Sequence, residues 1–101
     1  MRRRIAFARI NAAALARAED VLRQWLPDGA IAGREYIARN PRRADRRPGS
    51  FKINLDTGRW GDWAAGVFGG DLVSLAAYLG DLRQADAARS VAGMLGIDAH
   101  E

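Results

Sequence analysis

Hydrophobic and polar positions alternate with two different periods along this chain, and the change of period divides it into elements. From Ile10 to Leu26 the apolar residues Leu15, Ala18, Leu22 and Trp25 recur at steps of three and four. That is one stripe of an α-helix, with Arg17, Glu19, Asp20 and Arg23 on the other faces. Asn11 is a candidate cap, and Pro27-Asp28-Gly29 stops the helix. The period then becomes two. Gly33 to Ala38 reads as a strand with Arg34 and Tyr36 on one side and Glu35 and Ile37 on the other. Ser50 to Leu55 alternates cleanly, with Phe51, Ile53 and Leu55 against Lys52 and Asn54. Asp56-Thr57-Gly58 is a hairpin connection in which glycine can take the left-handed position, and Arg59 to Trp63 returns as the partner strand.

The helical period resumes after a glycine-rich link, Ala64 to Gly70. Asp71 is an N-cap, and Leu72, Leu75, Ala76 and Leu79 form a stripe that ends at Gly80. Asp81 to Gln84 has the spacing of a capping box for a last helix that runs to about Leu95 and closes at Gly96. The expected fold is α+β. It is one domain over residues 1–101, built on a three-stranded antiparallel sheet of zinc-ribbon-like, metal-free form. An N-terminal arm and helix occupy 1–28, the strand, Arg-rich loop and hairpin 33–63, and two C-terminal helices 69–97.

Composition narrows the chemistry. The chain has 101 residues, no cysteine, and a single histidine, His100, beside its last residue. Disulfides, thiolate metal sites and a Cys or Ser-His-Asp nucleophile are thereby set aside, and no cofactor is expected. No apolar run approaches the ~20 residues of a membrane span. Arg9 and Asn11 interrupt the one stretch that begins like a signal peptide, so a cytoplasmic protein is expected. The formal charge is +4, and all but Lys52 of the sixteen cationic side chains are arginines. Arginine offers a planar fork for phosphate and a flat face for bases, so the balance favours nucleic acid over a membrane surface.

The cations are densest between Pro41 and Pro48. Arg39, Arg42, Arg43, Arg46 and Arg47 surround this bracketed loop, and Lys52, Arg59 and Arg34 project from the adjacent strands. A solvated loop that confers solubility accounts for charge alone. Aromatic residues in the same segment add a second requirement of single-strand binding, a surface on which bases stack. Trp60 and Trp63 are three positions apart, so a straight strand sends them to opposite faces. Trp60 is assigned to the core and Trp63, with Tyr36, to base stacking. Gly66 to Asp71 is not a phosphate loop: it lacks Gly-Lys-Ser/Thr, and Asp71 puts negative charge where phosphate would sit.

Three stretches carry a family resemblance: Arg47-Pro48-Gly49-Ser50-Phe51-Lys52-Ile53, Gly58-Arg59-Trp60, and Gly66 through Leu75. Together with the Ala87–Ile97 helix they resemble the N-terminal zinc-ribbon domain of bacterial DNA primases and of plasmid- and phage-type primase-helicases. The likeness covers about two-thirds of the chain, from Gly33 to Ile97. The family's metal ligands are a Cys and a His before the first strand pair and two Cys after the hairpin. Here those regions read Gly33-Arg34-Glu35-Tyr36 and Gly61-Asp62-Trp63-Ala64. The resemblance therefore implies the fold without its zinc, with Tyr36, Trp63 and Phe68 packing in its place.

The resemblance also implies a template-recognition role in DNA replication and no catalysis by this chain alone. Its partners would be single-stranded DNA and a helicase or a primase catalytic domain, with neither metal nor membrane. The chain would be a piece of a larger primase-helicase or a stand-alone relative. Arg42, Arg43, Arg46, Arg47, Lys52 and Arg59 would neutralise phosphates. The competing expectation is a protein-docking module of a replication or mobile-element protein, presenting the sheet or an exposed stripe at Leu15, Leu22 and Trp25.

Overall fold

The computed structural model describes residues 3–43 and 48–101. Its helices are α1 (Phe7–Leu15), α2 (Ala18–Trp25), α3 (Leu72–Gly80) and α4 (Gln84–Leu95). Its strands are β1 (Ala30–Ala32), β2 (Glu35–Ala38), β3 (Phe51–Asn54), β4 (Trp60–Asp62) and β5 (Val67–Gly69). They form one antiparallel sheet in the order β1-β2-β3-β4-β5. The α+β class holds, but the expected three-stranded sheet is wrong: the sheet has five strands, and the N-terminal helix is two helices.

Each difference has a local cause. Gly33 has φ +60°, and Ala32 pairs with Glu35, so Gly33-Arg34 is a two-residue turn rather than the start of a strand. Glycine at the first central position is what a type II′ hairpin requires, and the turn folds Ala30–Ala32 back as β1. The glycine-rich link makes a second hairpin. The Asp62 side chain accepts from the backbone N–H groups of Ala64 and Ala65, and Gly66 at φ +69° returns its N–H to the Asp62 carbonyl. An aspartate that organises its own turn in this way replaces a linker with β5.

In the first helical segment the chain leaves helical geometry at Arg17 (φ −124°), separating α1 from α2. Asn11 does not cap α1. Its side-chain oxygen accepts the Val73 N–H at the start of α3, at 2.9 Å. Asp71 caps α3 as expected, with Ser74 completing a capping box. Asp81 does not cap α4. It takes the left-handed position that ends α3, where the Leu82 N–H reaches back to the Ala77 carbonyl, and Arg83 stands at the start of α4.

All four helices contribute to a single core on one face of the sheet, and α1 packs against α3 and α4. Alternation selects the side chains that point there: Tyr36 and Ala38 from β2, Phe51 and Ile53 from β3, Trp60 from β4. The rings of Phe51, Trp60 and Tyr78 meet at 5.2–6.5 Å, and the Trp60 indole N–H donates to Ser74 Oγ at 2.9 Å. The Tyr36 hydroxyl donates to the Leu26 carbonyl at 2.6 Å, fastening the end of α2 to the sheet. Burial pushes the Tyr36 phenol above its ordinary pKa. Gly29 passes so close to this ring that a Cβ there would lie 2.1 Å from it. The ends of the described chain are joined by backbone bonds, Ala6 N–H to the Ala99 carbonyl and Glu101 N–H to the Arg4 carbonyl, both 2.9 Å.

Tyr36→Phe removes one of the two donors to the Leu26 carbonyl, which keeps the Gly29 N–H at 3.0 Å, and unfastens the end of α2 from the sheet. The expected cost is about 1–2 kcal/mol, a fall in Tm of roughly 5–15 °C for a domain of this size. Thermal unfolding followed by circular dichroism measures it, and an unchanged Tm would contradict the role given to this bond.

Candidate nucleic-acid interface

The face of the sheet away from the helices carries the other half of the alternation. Strand register aligns Ile37, Lys52, Gly61 and Phe68 in one row across β2 to β5, and Glu35 with Asn54 in the next. Gly61 determines what this face looks like. With no side chain at that position, the Phe68 ring lies over the backbone, and a Cβ there would sit 2.4 Å from a ring carbon. Trp63 follows β4 with its N–H donating to the Ser50 carbonyl. Its ring meets Phe68 edge to face at 5.1 Å. Trp63 is 74% exposed and Phe68 57%, while Trp60 is 7% exposed.

The two exposed rings border an open groove of about 630 Å³ whose walls include Glu35, Lys52, Asn54 and Arg59. Lys52, Arg59 and Trp63 are therefore brought together as the alternation suggested. Phe68 was read from sequence only as a packing residue. The signal that identifies it is its place opposite a glycine in the β4–β5 register, and that register depends on a hairpin formed by the Asp62 turn.

Other residues assigned to the site lie elsewhere. Tyr36 is fully buried and cannot present its ring to a base. Arg34 is paired with Asp56 between two turns. Arg39 is exposed beside a second groove bordered by Trp25 and Pro27. Arg42 donates to the Tyr78 carbonyl at 2.7 Å, stacks over the Tyr78 ring at 5.1 Å and lies 3.8 Å from Asp81. Arg43 donates to Asp62 at 2.8 Å and to Ser50 Oγ at 2.7 Å. Arg46 and Arg47 lie outside the described residues. The loop cations that can be placed thus serve the fold more than the groove. The stripe at Leu15, Leu22 and Trp25 is no docking surface either: Leu22 is fully buried, and the other two pack half-buried against the core.

Asp62 is the centre of the network that holds this region. Its carboxylate is fully buried and accepts from Arg43, the Asn40 amide and the turn N–H groups of Ala64 and Ala65. Asn40 also donates to the Tyr78 hydroxyl at 2.8 Å, which ties the network to α3. Burial alone would raise the Asp62 pKa. Hydrogen bonds from Arg43, Asn40, Ala65 and Ser50 outweigh it and bring the value from 3.8 down to about 2. The expected packing of Tyr36, Trp63 and Phe68 in place of a metal is corrected here. Tyr36 is in the core, the other two rings are outside, and a charged network joins the loop before β3 to the turn after β4.

No family model matches the chain, and no curated protein matches it. Among the described residues no group of three His, Cys, Asp or Glu side chains is placed to hold a metal ion, and no helix is long and apolar enough to cross a membrane.

A carboxyl whose pKa is lowered by folding stabilises the protein above its unfolded value, and that contribution is lost as the pH falls through the folded value. For Asp62 the fall from 3.8 to about 2 corresponds to about 2 kcal/mol. Urea unfolding of wild type and Asp62→Asn should therefore differ by at least about 2 kcal/mol near neutrality, with the gap closing between about pH 4 and about pH 2. A gap independent of pH would rule out the carboxylate as its source.

Proposed function

We propose that this chain binds single-stranded DNA across the solvent face of its sheet, as the template-recognition module of a cytoplasmic primase or primase-helicase. The observation that carries the binding reading is the pair of exposed rings, Trp63 and Phe68, at 5.1 Å in one groove with Lys52 and Arg59. Exposed aromatic rings on a folded sheet offer unpaired bases a stacking surface worth about 1–3 kcal/mol per base. Cations beside them neutralise the phosphates that join those bases. Bases inside a duplex are already stacked on one another, so the rings favour single strands. The replication context rests on the sequence resemblance of residues 47–53, 58–60 and 66–75 to primase zinc-ribbon domains.

The geometry also sets a scale for the electrostatics. Two groove cations on a single strand give a log–log salt slope of roughly −1.4, whereas six would give about −4. Between about 50 and about 300 mM salt, the first slope weakens binding roughly tenfold and the second by about three orders of magnitude. Fluorescence anisotropy with a labelled single-stranded oligonucleotide should give the smaller value. Lys52→Ala or Arg59→Ala should flatten the slope by about 0.7. Trp63→Ala should cost about 1–3 kcal/mol and leave the slope unchanged. Equal affinity at the two salt concentrations, or equal affinity for duplex, would refute the reading.

A further inference from the structure

The groove also contains two polar side chains that phosphate binding does not use. Glu35 lies directly opposite Asn54 in the β2–β3 register, which brings their Cβ atoms to roughly 4.5–5.5 Å on the same face. Both line the groove that Trp63 and Phe68 border. Among the described residues the Glu35 side chain makes no hydrogen bond and no ion pair, although Lys52 is its diagonal neighbour. Asn54 is held in one orientation, because its side-chain oxygen accepts the N–H groups of Asp56 and Thr57 at 2.8 and 3.0 Å. Its amide nitrogen is then the end left to donate. The groove thus presents two carboxylate acceptors beside one amide donor, next to a stacking surface.

We propose that Glu35 and Asn54 read the edge of a base stacked on Trp63 and Phe68, and that they select guanine. This rests on the single-strand reading above and specifies the substrate of that same groove. The Watson–Crick edge of guanine carries two adjacent donors, N1–H and the N2 amino group, beside the O6 acceptor. Two donors match the two oxygens of a carboxylate, which only accepts, and O6 matches the Asn54 amide. Adenine and cytosine each offer one amino donor with a ring nitrogen acceptor beside it. Thymine offers one N–H between two carbonyls. Each of these leaves one Glu35 oxygen facing an acceptor or nothing. The position of Glu35 also explains why a groove meant for a polyanion keeps a carboxylate. As a phosphate site it would be weakened by Glu35, and as a base site it depends on it.

The test uses the full chain and a short oligothymidylate in which one central thymine is replaced by guanine, adenine, cytosine or hypoxanthine. Guanine should bind about 5–150-fold more tightly than the other natural bases, the range of a good bidentate base contact. Hypoxanthine lacks the N2 amino group and should lose most of that advantage. Glu35→Gln should abolish the guanine preference and, with a negative charge gone from the groove, bind plain oligothymidylate more tightly than wild type. If that variant does not fold, the guanine-to-hypoxanthine ratio on the wild-type protein still decides. Equal binding of all five oligonucleotides overturns the guanine proposal and leaves single-strand binding standing. Binding of none of them overturns the single-strand reading beneath it.

Discussion

The buried carboxylate of Asp62 is the constraint on which the exposed half of this protein depends. A charge withdrawn from water must have its oxygens occupied, and here the occupants come from three stretches of chain. Asn40 and Arg43 belong to the loop before β3, Ser50, which also accepts from Arg43, stands just before Phe51 at the start of β3, and Ala64 and Ala65 belong to the turn after β4. Satisfying one anion thus fixes where the arginine loop ends, where β3 begins and how β4 reverses into β5. The reversal matters most for the proposed binding surface, because it brings Phe68 back alongside Gly61.

That hairpin shows how an absent side chain can build a surface. The helix-facing rows of the sheet are filled by Tyr36, Ile53 and Trp60 and by Phe51, as a small core requires. On the opposite face Gly61 leaves a gap one side chain wide, and Phe68 lies across it with Trp63 against its edge. Two large rings are thereby held by backbone geometry rather than by burial. They pack on each other while remaining exposed, as the proposed stacking surface requires.

The parts of this arrangement that could be read from the sequence were those governed by local rules. Period-two alternation placed Phe51 and Ile53 inward and Lys52 outward, and odd spacing separated Trp60 from Trp63. The Asp71 cap and the Gly96 stop follow from residue chemistry at helix ends. What could not be read depended on partners distant in sequence. Asn11 looks like a cap until Val73 claims its oxygen, and Asp81 looks like one until α3 needs a left-handed end. Gly33-Arg34 is as compatible with a strand start as with a turn until β1 pairs across it. Alternation and Asp56-Thr57-Gly58 located the β3–β4 hairpin, but nothing local showed the strand that the glycine-rich stretch becomes.

Charge density along a chain is a poor guide to charge density on a surface, and the loop around Pro41 shows why. A guanidinium has five donors in a fixed plane, so it satisfies buried acceptors as readily as it meets phosphate. Arg43 follows the first course at Asp62, and Arg42 also turns to the fold near the end of α3, where it covers the Tyr78 ring and donates to the Tyr78 carbonyl. Among the described residues the Lys52 and Arg59 side chains make no hydrogen bond or ion pair, because alternation and the hairpin turn them away from the core. A side chain is available to a partner only when the fold has no use for it. By that criterion the set that the proposed binding would use is, among the described residues, the Lys52, Arg59 and Glu35 side chains that make no hydrogen bond or ion pair, beside two rings that pack only on the open face of the sheet.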